Sequence, residues 1–277
     1  MKTRKKIAVL GAGKIGQTLV AGILEAGVAR PADVIVVTKH RQTLDAVTKR
    51  FSVRGTLSCA EATELADVVL VCVKPQTIRE VLGEIDAVMT PRKLVITTVA
   101  SVPTAFVETT LGAGIPVIRT MPNTPCLIRK GMVAIAPGRH VKKADLAIAE
   151  QIFGALGRTV VLDEKHMNAV TGLSGSGPAF MYVMIEALAE GGVKVGLPRD
   201  IATLLAAQTM MGSGSMVLET GEHPSLLKDA VTTPAGCTID GILELEDGGL
   251  RVTLIKAVVK ATQRAAELFV PSPPEPR

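Results

Sequence analysis

The stretch IAVLGAGKIGQTL, residues 7–19, decides the fold. Four apolar residues suited to a buried strand run into Gly11, Gly13 and Gly16 at GxGxxG spacing, and a helical pattern follows. Each glycine has its own reason. The first permits a tight turn, the second lets main chain approach a pyrophosphate, and the third lets the helix pack closely on the strand. Phosphates then lie at the helix N-terminus, where unpaired amides and the helix dipole favour anions. A dinucleotide site is therefore expected on Gly11, Ala12, Gly13, Lys14, Ile15 and Gly16. The alternative, a glycine turn without a ligand, leaves the surrounding strand–turn–helix context unexplained.

Outward from that turn, apolar β-branched runs recur at 34–38, 68–73, 94–99 and 117–121, with helical patterns between most of them. Such alternation implies parallel strands joined by right-handed crossovers, an open α/β sheet of the Rossmann type, doubly wound. A further strand pair at 132–136 and 159–162 flanks a helix expected over 142–156 and closed by Gly157. After Asp163 the strand signals stop. From Glu164 onward Ala, Leu and Met recur at helical spacing, broken at 175–178, at 191–198 and in the loop after Leu226. The expected organisation is a nucleotide-binding domain over 1–163 and an all-α domain over 164–270. The prolines of the end, 271–277, are expected to leave it disordered.

Composition narrows the function. Of 277 residues 47% are hydrophobic, yet there is one Tyr, five Phe and no Trp, which leaves few stacking platforms for single-stranded nucleic acid. The net charge of +5 owes much to Lys2, Arg4, Lys5 and Lys6, a small basic tip, so no nucleic-acid partner is implied. Cys59, Cys72, Cys126 and Cys237 form no CxxC pair and have no His at ligand spacing. Free thiols in a reducing cytosol are expected, and no metal site. The basic start followed by an apolar run imitates a secretory signal, but Lys14 and Gln17 interrupt it. No uninterrupted apolar stretch reaches membrane-spanning length, so a soluble cytoplasmic protein is expected.

The strand ends carry the chemistry. An NAD site wants an acid after the second strand, but this chain reads VVTKHRQT, with Thr38, Lys39, His40 and Arg41 and no acid. A cationic, hydroxyl-bearing tip suits the 2′-phosphate of NADP. VCVKPQ places Val73, Lys74 and Pro75 at the carboxyl edge of the sheet; Val99, Ala100 and Ser101 end the next strand, and RTMPNTP, with Asn123, the one after. Together they suit a nicotinamide channel. In the second domain TGLSGSGPAF puts Ser174 and Ser176 before Pro178 at an expected helix start, where amides are exposed, unless it is a kink for close packing. The loop 232–238 presents Thr232, Thr233, Gly236, Cys237 and Thr238 ahead of a helix expected near Ile239, with Thr238 as its N-cap.

GAGKIG, VKP, MPNTP, LSGSGP, GGVKVGLP and LKDAVTTPAGCTIDG, in that order over nearly the whole chain, closely resemble the pyrroline-5-carboxylate reductase family. The resemblance implies a Rossmann domain followed by a helical dimerisation domain, assembly as a homodimer or larger homo-oligomer, and hydride transfer from NADPH, with NADH possible, to 1-pyrroline-5-carboxylate. It assigns the substrate carboxylate to the amides around Gly236, Cys237 and Thr238, with Thr233 and Ser176 beside them. The ring nitrogen goes to the Thr238 hydroxyl, Glu164 to the pocket lining, and Lys74, Pro75 and Ala100 to the cofactor. Ala235 stands where the family usually has glycine, and Cys59 where an asparagine often contacts cofactor. The rival readings are another NADPH-dependent imine reductase, a β-hydroxyacid dehydrogenase, and a non-catalytic NADP sensor. The second lacks its group, because Gly172 stands four residues after Asn168 where a lysine is needed.

Overall fold

The computed structural model describes residues 5–268, so the basic positions Lys2 and Arg4 and the end at 271–277 lie outside the described residues. The glycine-rich turn joins β1 (Ile7–Leu10) to α1 (Lys14–Glu25). There follow β2 (Val34–Val37), α2 (Arg41–Phe51), β3 (Arg54–Thr56), α3 (Cys59–Glu64), β4 (Val68–Val71), α4 (Ile78–Ile85), β5 (Leu94–Thr97), α5 (Thr104–Leu111) and β6 (Val117–Met121). β7 (Gly131–Pro137), α6 (Lys143–Gly154) and β8 (Gly157–Val161) complete an eight-stranded sheet of order β3-β2-β1-β4-β5-β6-β7-β8.

Every residue of β1, β2, β4 and β5 is buried, as a parallel sheet covered on both faces requires. Alternate side chains serve opposite cores. Val9, Val36, Leu70 and Ile96 meet Leu19 and Ile23 of α1 and Phe153 of α6. Leu10, Val69, Val71 and Val95 meet Ile78, Leu82 and Val107 of α4 and α5. Each such side chain contributes about 1.5–3 kcal/mol on leaving water.

The expected parallel order holds from β3 to β6, and β7 then runs antiparallel to β6. The intervening connection holds only a 3-10 turn, Thr124–Ile128, whereas a parallel return needs a longer crossover. β8 returns parallel to β7 through α6. Gly157 does not simply close α6. It opens β8 at φ +146°, where a Cβ would run into the carbonyl of Gly131, whose own N–H donates to the Leu156 carbonyl at 3.1 Å.

One polar network crosses this unit. Arg119 of β6 is 5% exposed, and its Nη1 reaches Glu164 Oε1 at 3.4 Å while Nη2 donates to Asn168 Oδ1 at 3.4 Å. Glu164 Oε1 also accepts from the Thr104 amide at 2.7 Å and Oε2 from the Thr104 hydroxyl at 2.6 Å. The carboxylate therefore satisfies the first turn of α5, which Pro103 cannot cap, and neutralises a buried cation. Burial pushes the Arg119 pKa down and Glu164 pulls it back up, and a guanidinium stays charged in either case.

Beyond β8 the chain is helical: α7 (Met167–Val170), a π-helical turn (Thr171–Gly175), α8 (Gly177–Lys194), α9 (Arg199–Thr220), α10 (Pro224–Ala230), α11 (Cys237–Asp247) and α12 (Leu250–Glu267). The strands do end before Glu164, but the chain's two compact units part at Gly175 and Ser176, and residues from 261 on group with the first. Met167 of α7 is buried against Ala134 and Ala136 of β7, which keeps the chain after Glu164 within that first unit.

The second unit, Ser176–Lys260, has a small core of its own, Ala189, Ala202 and Ala206 between α8 and α9. Tyr182, Val183, Leu204, Leu226, Leu243 and Ile255 are each more than half exposed. No uninterrupted apolar run in α9 reaches spanning length, yet by overall length and composition the helix is apolar enough to cross a membrane, the one such helix among the described residues. Its apolar positions are interrupted by Gln208, Ser213 and Ser215 rather than by charges, which a count of uninterrupted apolar residues passes over.

Glu164→Gln should lower unfolding stability by about 1–3 kcal/mol, because an amide cannot both accept from Thr104 twice and balance Arg119. A urea titration checks this, and unchanged stability would remove the network from the fold's support.

Candidate active site

The strand order reverses between β1 and β4, and ligands of open α/β sheets bind beyond the strand ends at such a point. Gly11 and Ala12 donate their amides to the Val37 carbonyl, both at 3.0 Å, fixing the turn after β1. Gly11 has φ +94°, and a Cβ there would lie 2.8 Å from the Cys72 carbonyl oxygen. At Gly16 a Cβ would collide with the Gly11 carbonyl, while a Cβ on Gly13 would meet nothing within 4 Å. Two glycines close the turn and the third leaves open space over the N-terminus of α1. Gly13 caps that helix without a side-chain bond and no acid lies in its first turn, so the amides after it, from Lys14, Ile15 and Gly16, suit a phosphate group.

The tip after β2 has the expected character. Thr38 is buried and its hydroxyl donates to the His40 carbonyl at 3.0 Å, leaving its oxygen free to accept. Lys39, His40 and Arg41 are exposed at the N-terminus of α2, which has no side-chain cap and no acid in its first turn. Arg41 Nε reaches Asp45 Oδ1 at 3.2 Å, an exposed pair of small energetic weight. Lys39 and Thr38 line a cavity of about 240 Å³ with Gly11, Val73 and Cys59.

Residues expected along the nicotinamide end, Val73 to Pro75, Ala100 and Asn123, follow β4, β5 and β6, which are neighbours in the sheet. Ser101 beside Ala100 is buried at φ +65°, a left-handed conformation for a residue with a side chain. The Asn123 side chain is committed internally: Oδ1 accepts from the Met132 amide at 3.0 Å and Nδ2 donates to Ser174 Oγ at 3.4 Å. Both oxygens of Glu164 are likewise held within the protein.

Sequence reasoning missed the other wall of the cavity, formed by Leu57, Thr77, Glu80, Val81 and Glu84. Cys59 donates its amide to Glu84 Oε1 at 2.7 Å, and burial, reinforced by Glu84, pushes its thiol up to about 12. The signal available was the four-residue spacing of the two glutamates on α4, which places them on one side of that helix.

The expected helix start at GSGP stands, with α8 opening at Gly177 and Pro178 in its first turn. Residues 171–175 form a π-helical turn between α7 and α8, where a Cβ on Gly175 would lie 2.5 Å from Met121 Cε. Close packing accounts for that glycine, and Ser176 follows as the N-cap of α8 without a side-chain bond. The loop of the second unit is corrected. α11 begins at Cys237 and its N-cap is Gly236, so Thr238 stands inside the first turn rather than capping it.

That correction frees the Thr238 hydroxyl, which among the described residues has no protein hydrogen-bond partner. Gly236 donates to the Thr233 carbonyl at 3.0 Å, and a Cβ on Gly236 would strike the Thr233 hydroxyl. Ala235 is held at φ +59°, a strain of about 1–2 kcal/mol that glycine would avoid. The result is a helix start with unpaired amides, a hydroxyl and an exposed thiol at Cys237.

Residues 164–268 match the family described as pyrroline-5-carboxylate reductase dimerisation, and residues 6–101 the family described as NADP oxidoreductase, coenzyme F420-dependent. Pyrroline-5-carboxylate reductase of Methanosarcina acetivorans is 41% identical over 95% of this chain and 98% of its own length. That of Escherichia coli is 36% identical over 95% and 98%. The structure of the Coxiella burnetii reductase superposes with a TM-score of 0.91 at 33% identity, covering 97% of this chain and all (100%) of that one. A Plasmodium falciparum pyrroline carboxylate reductase with NADP bound gives 0.85 at 28% identity over 95% and 97%. By its glycine turn, its helical second unit and these relatives together, the chain belongs to the pyrroline-5-carboxylate reductase family.

Proposed function

We propose that this chain reduces 1-pyrroline-5-carboxylate to L-proline with hydride from NADPH, the closing reaction of proline biosynthesis. The observation that carries this reading is the uncapped start of α11, where amides and the unpartnered Thr238 hydroxyl gather without any His, Glu or Lys in the loop 232–238. A cyclic imine that is already protonated is electrophilic, so it needs orientation more than a strong acid. The amides around Gly236, Cys237 and Thr238 hold the carboxylate, with Thr233 and Ser176 as further hydroxyls. Charge-assisted hydrogen bonds of this kind are worth about 1.5–3 kcal/mol each, more than the solvent-screened opposition of the exposed Asp240 in the same turn.

The Thr238 oxygen accepts the ring N–H. When bound, NADPH supplies hydride to the imine carbon, and the nitrogen keeps its proton to become a secondary amine. Gly11, Gly13 and Gly16 shape the pyrophosphate cradle, and Lys39, His40 and Arg41 with Thr38 receive the 2′-phosphate that separates NADPH from NADH. Glu164 acts by holding α5 and Arg119, not by touching substrate. The match to a dimerisation family over 164–268 and the many exposed apolar side chains there support a homo-oligomer, which we take to be a dimer or a larger assembly of dimers. Four free cysteines suit a reducing compartment, and we place the protein in the cytoplasm.

A spectrophotometric assay of NADPH oxidation with pyrroline carboxylate tests the reaction, and a panel of cyclic imines with and without the carboxylate tests the amide assignment: equal turnover of the uncharged ring would defeat it. KM for NADPH should lie well below that for NADH. Lys39→Ala should raise the NADPH value about tenfold while leaving NADH nearly unchanged; parallel rises for both would remove Lys39 from phosphate recognition. Thr238→Ala should lower kcat by about 10- to 100-fold with little change in NADPH binding. Unaltered kcat would take Thr238 out of the mechanism.

A further inference from the structure

The cavity beside Gly11 and Lys39 contains two carboxylates that a phosphate does not explain. At about 240 Å³ it is roomy enough for a flat heterocycle, and Leu57, Val73 and Val81 supply apolar walls for its faces. Its polar lining away from Lys39 is made of acceptors. The Thr77 hydroxyl already donates to the Lys74 carbonyl at 3.1 Å, so its oxygen is left to accept. Glu84 spends Oε1 on the Cys59 amide, at 2.7 Å. Glu80, one helical turn earlier on α4, is exposed and among the described residues makes no hydrogen bond and no ion pair.

A wall of acceptors selects a ligand edge that donates. Phosphates would be repelled there, and between the apolar walls of Leu57, Val73 and Val81 the donating edge belongs to a base rather than to a sugar: adenine has a single donor group, its exocyclic amine. We propose that Glu80 of α4 reads the amino group of the cofactor's adenine, making it a specificity-determining residue for the base. A base with a carbonyl at that position would set a lone pair against the carboxylate and lose the hydrogen bond as well. This inference rests on the reading above that the adenosine end of NADPH occupies this cavity.

The probe is NADPH compared with its analogue carrying hypoxanthine in place of adenine. The wild-type protein should show a KM about tenfold higher for the analogue. Glu80→Ala should raise KM for NADPH and bring the two values within about twofold of each other. Glu80→Gln, which keeps a carbonyl acceptor without the charge, should preserve a reduced preference for adenine, a pattern that mere loss of packing would not give. No discrimination by the wild type, or an unchanged ratio in both variants, overturns the proposal. Lys39→Ala separates the two levels: if it raises KM for NADPH while the Glu80 variants leave the ratio alone, only base reading fails, and if none of the variants moves KM, the cofactor does not lie here.

Discussion

The first turn of α1 lies directly against the chain that precedes it, and nothing larger than hydrogen can stand between them. That single constraint at Gly16, facing the Gly11 carbonyl, fixes where α1 starts and hence where its unpaired amides are presented. The position of β1 beside both β2 and β4 then decides the rest, because the Gly11 and Ala12 amides fasten to Val37 and the Cys72 amide to Leu10 at 2.8 Å. An open glycine turn, a cationic tip and an adjoining cavity all follow from strands whose ends are held level by these bonds. In the proposed site the binding groups are largely main-chain amides. Apart from replacement by proline, substitution can only misplace such groups.

The fold was largely legible because a covered parallel sheet writes itself as unbroken apolar runs, and β6 emerged with the boundaries its pattern implied. What escaped was short or polar. β3 contributes Arg54, Gly55 and Thr56, none of them buried, at the sheet's edge, so it carries no hydrophobic signal to read. The start of α11 was misplaced because Thr238 is a good capping residue by type, while Gly236 caps by conformation alone. Similarly, LSGSGP looks like a break, yet its glycine serves contact with Met121, and the helical path continues through a wider turn. The acidic wall on α4 was invisible for another reason: two glutamates four residues apart on a surface helix read as a solvated face until β1 and β2 are brought beside them.

Glu164 shows how position and role can come apart. It stands where the strands give way to helices, as the sequence indicated, but its oxygens are occupied by Thr104 and Arg119. Thr104 opens α5 directly after the loop that holds Ala100 and the left-handed Ser101, so the carboxylate acts on the sheet's carboxyl edge by fixing that loop's far end. Asn123 does the same from the next strand, tying Met132 to Ser174. Both residues hold the carboxyl edge of the sheet through bonds within the protein.

The alanine core between α8 and α9 has a consequence for how the molecule lives in solution. Ala189, Ala202 and Ala206 remove little apolar surface from water, while isoleucines, leucines and valines on the same helices remain outside. In the homo-oligomer proposed above, burial of those side chains against another copy would supply much of the free energy that keeps these helices folded, and protomer concentration itself would be a thermodynamic variable. Dilution acts on such a protein as a mild denaturant, and a melting temperature for it has meaning only when the concentration is stated.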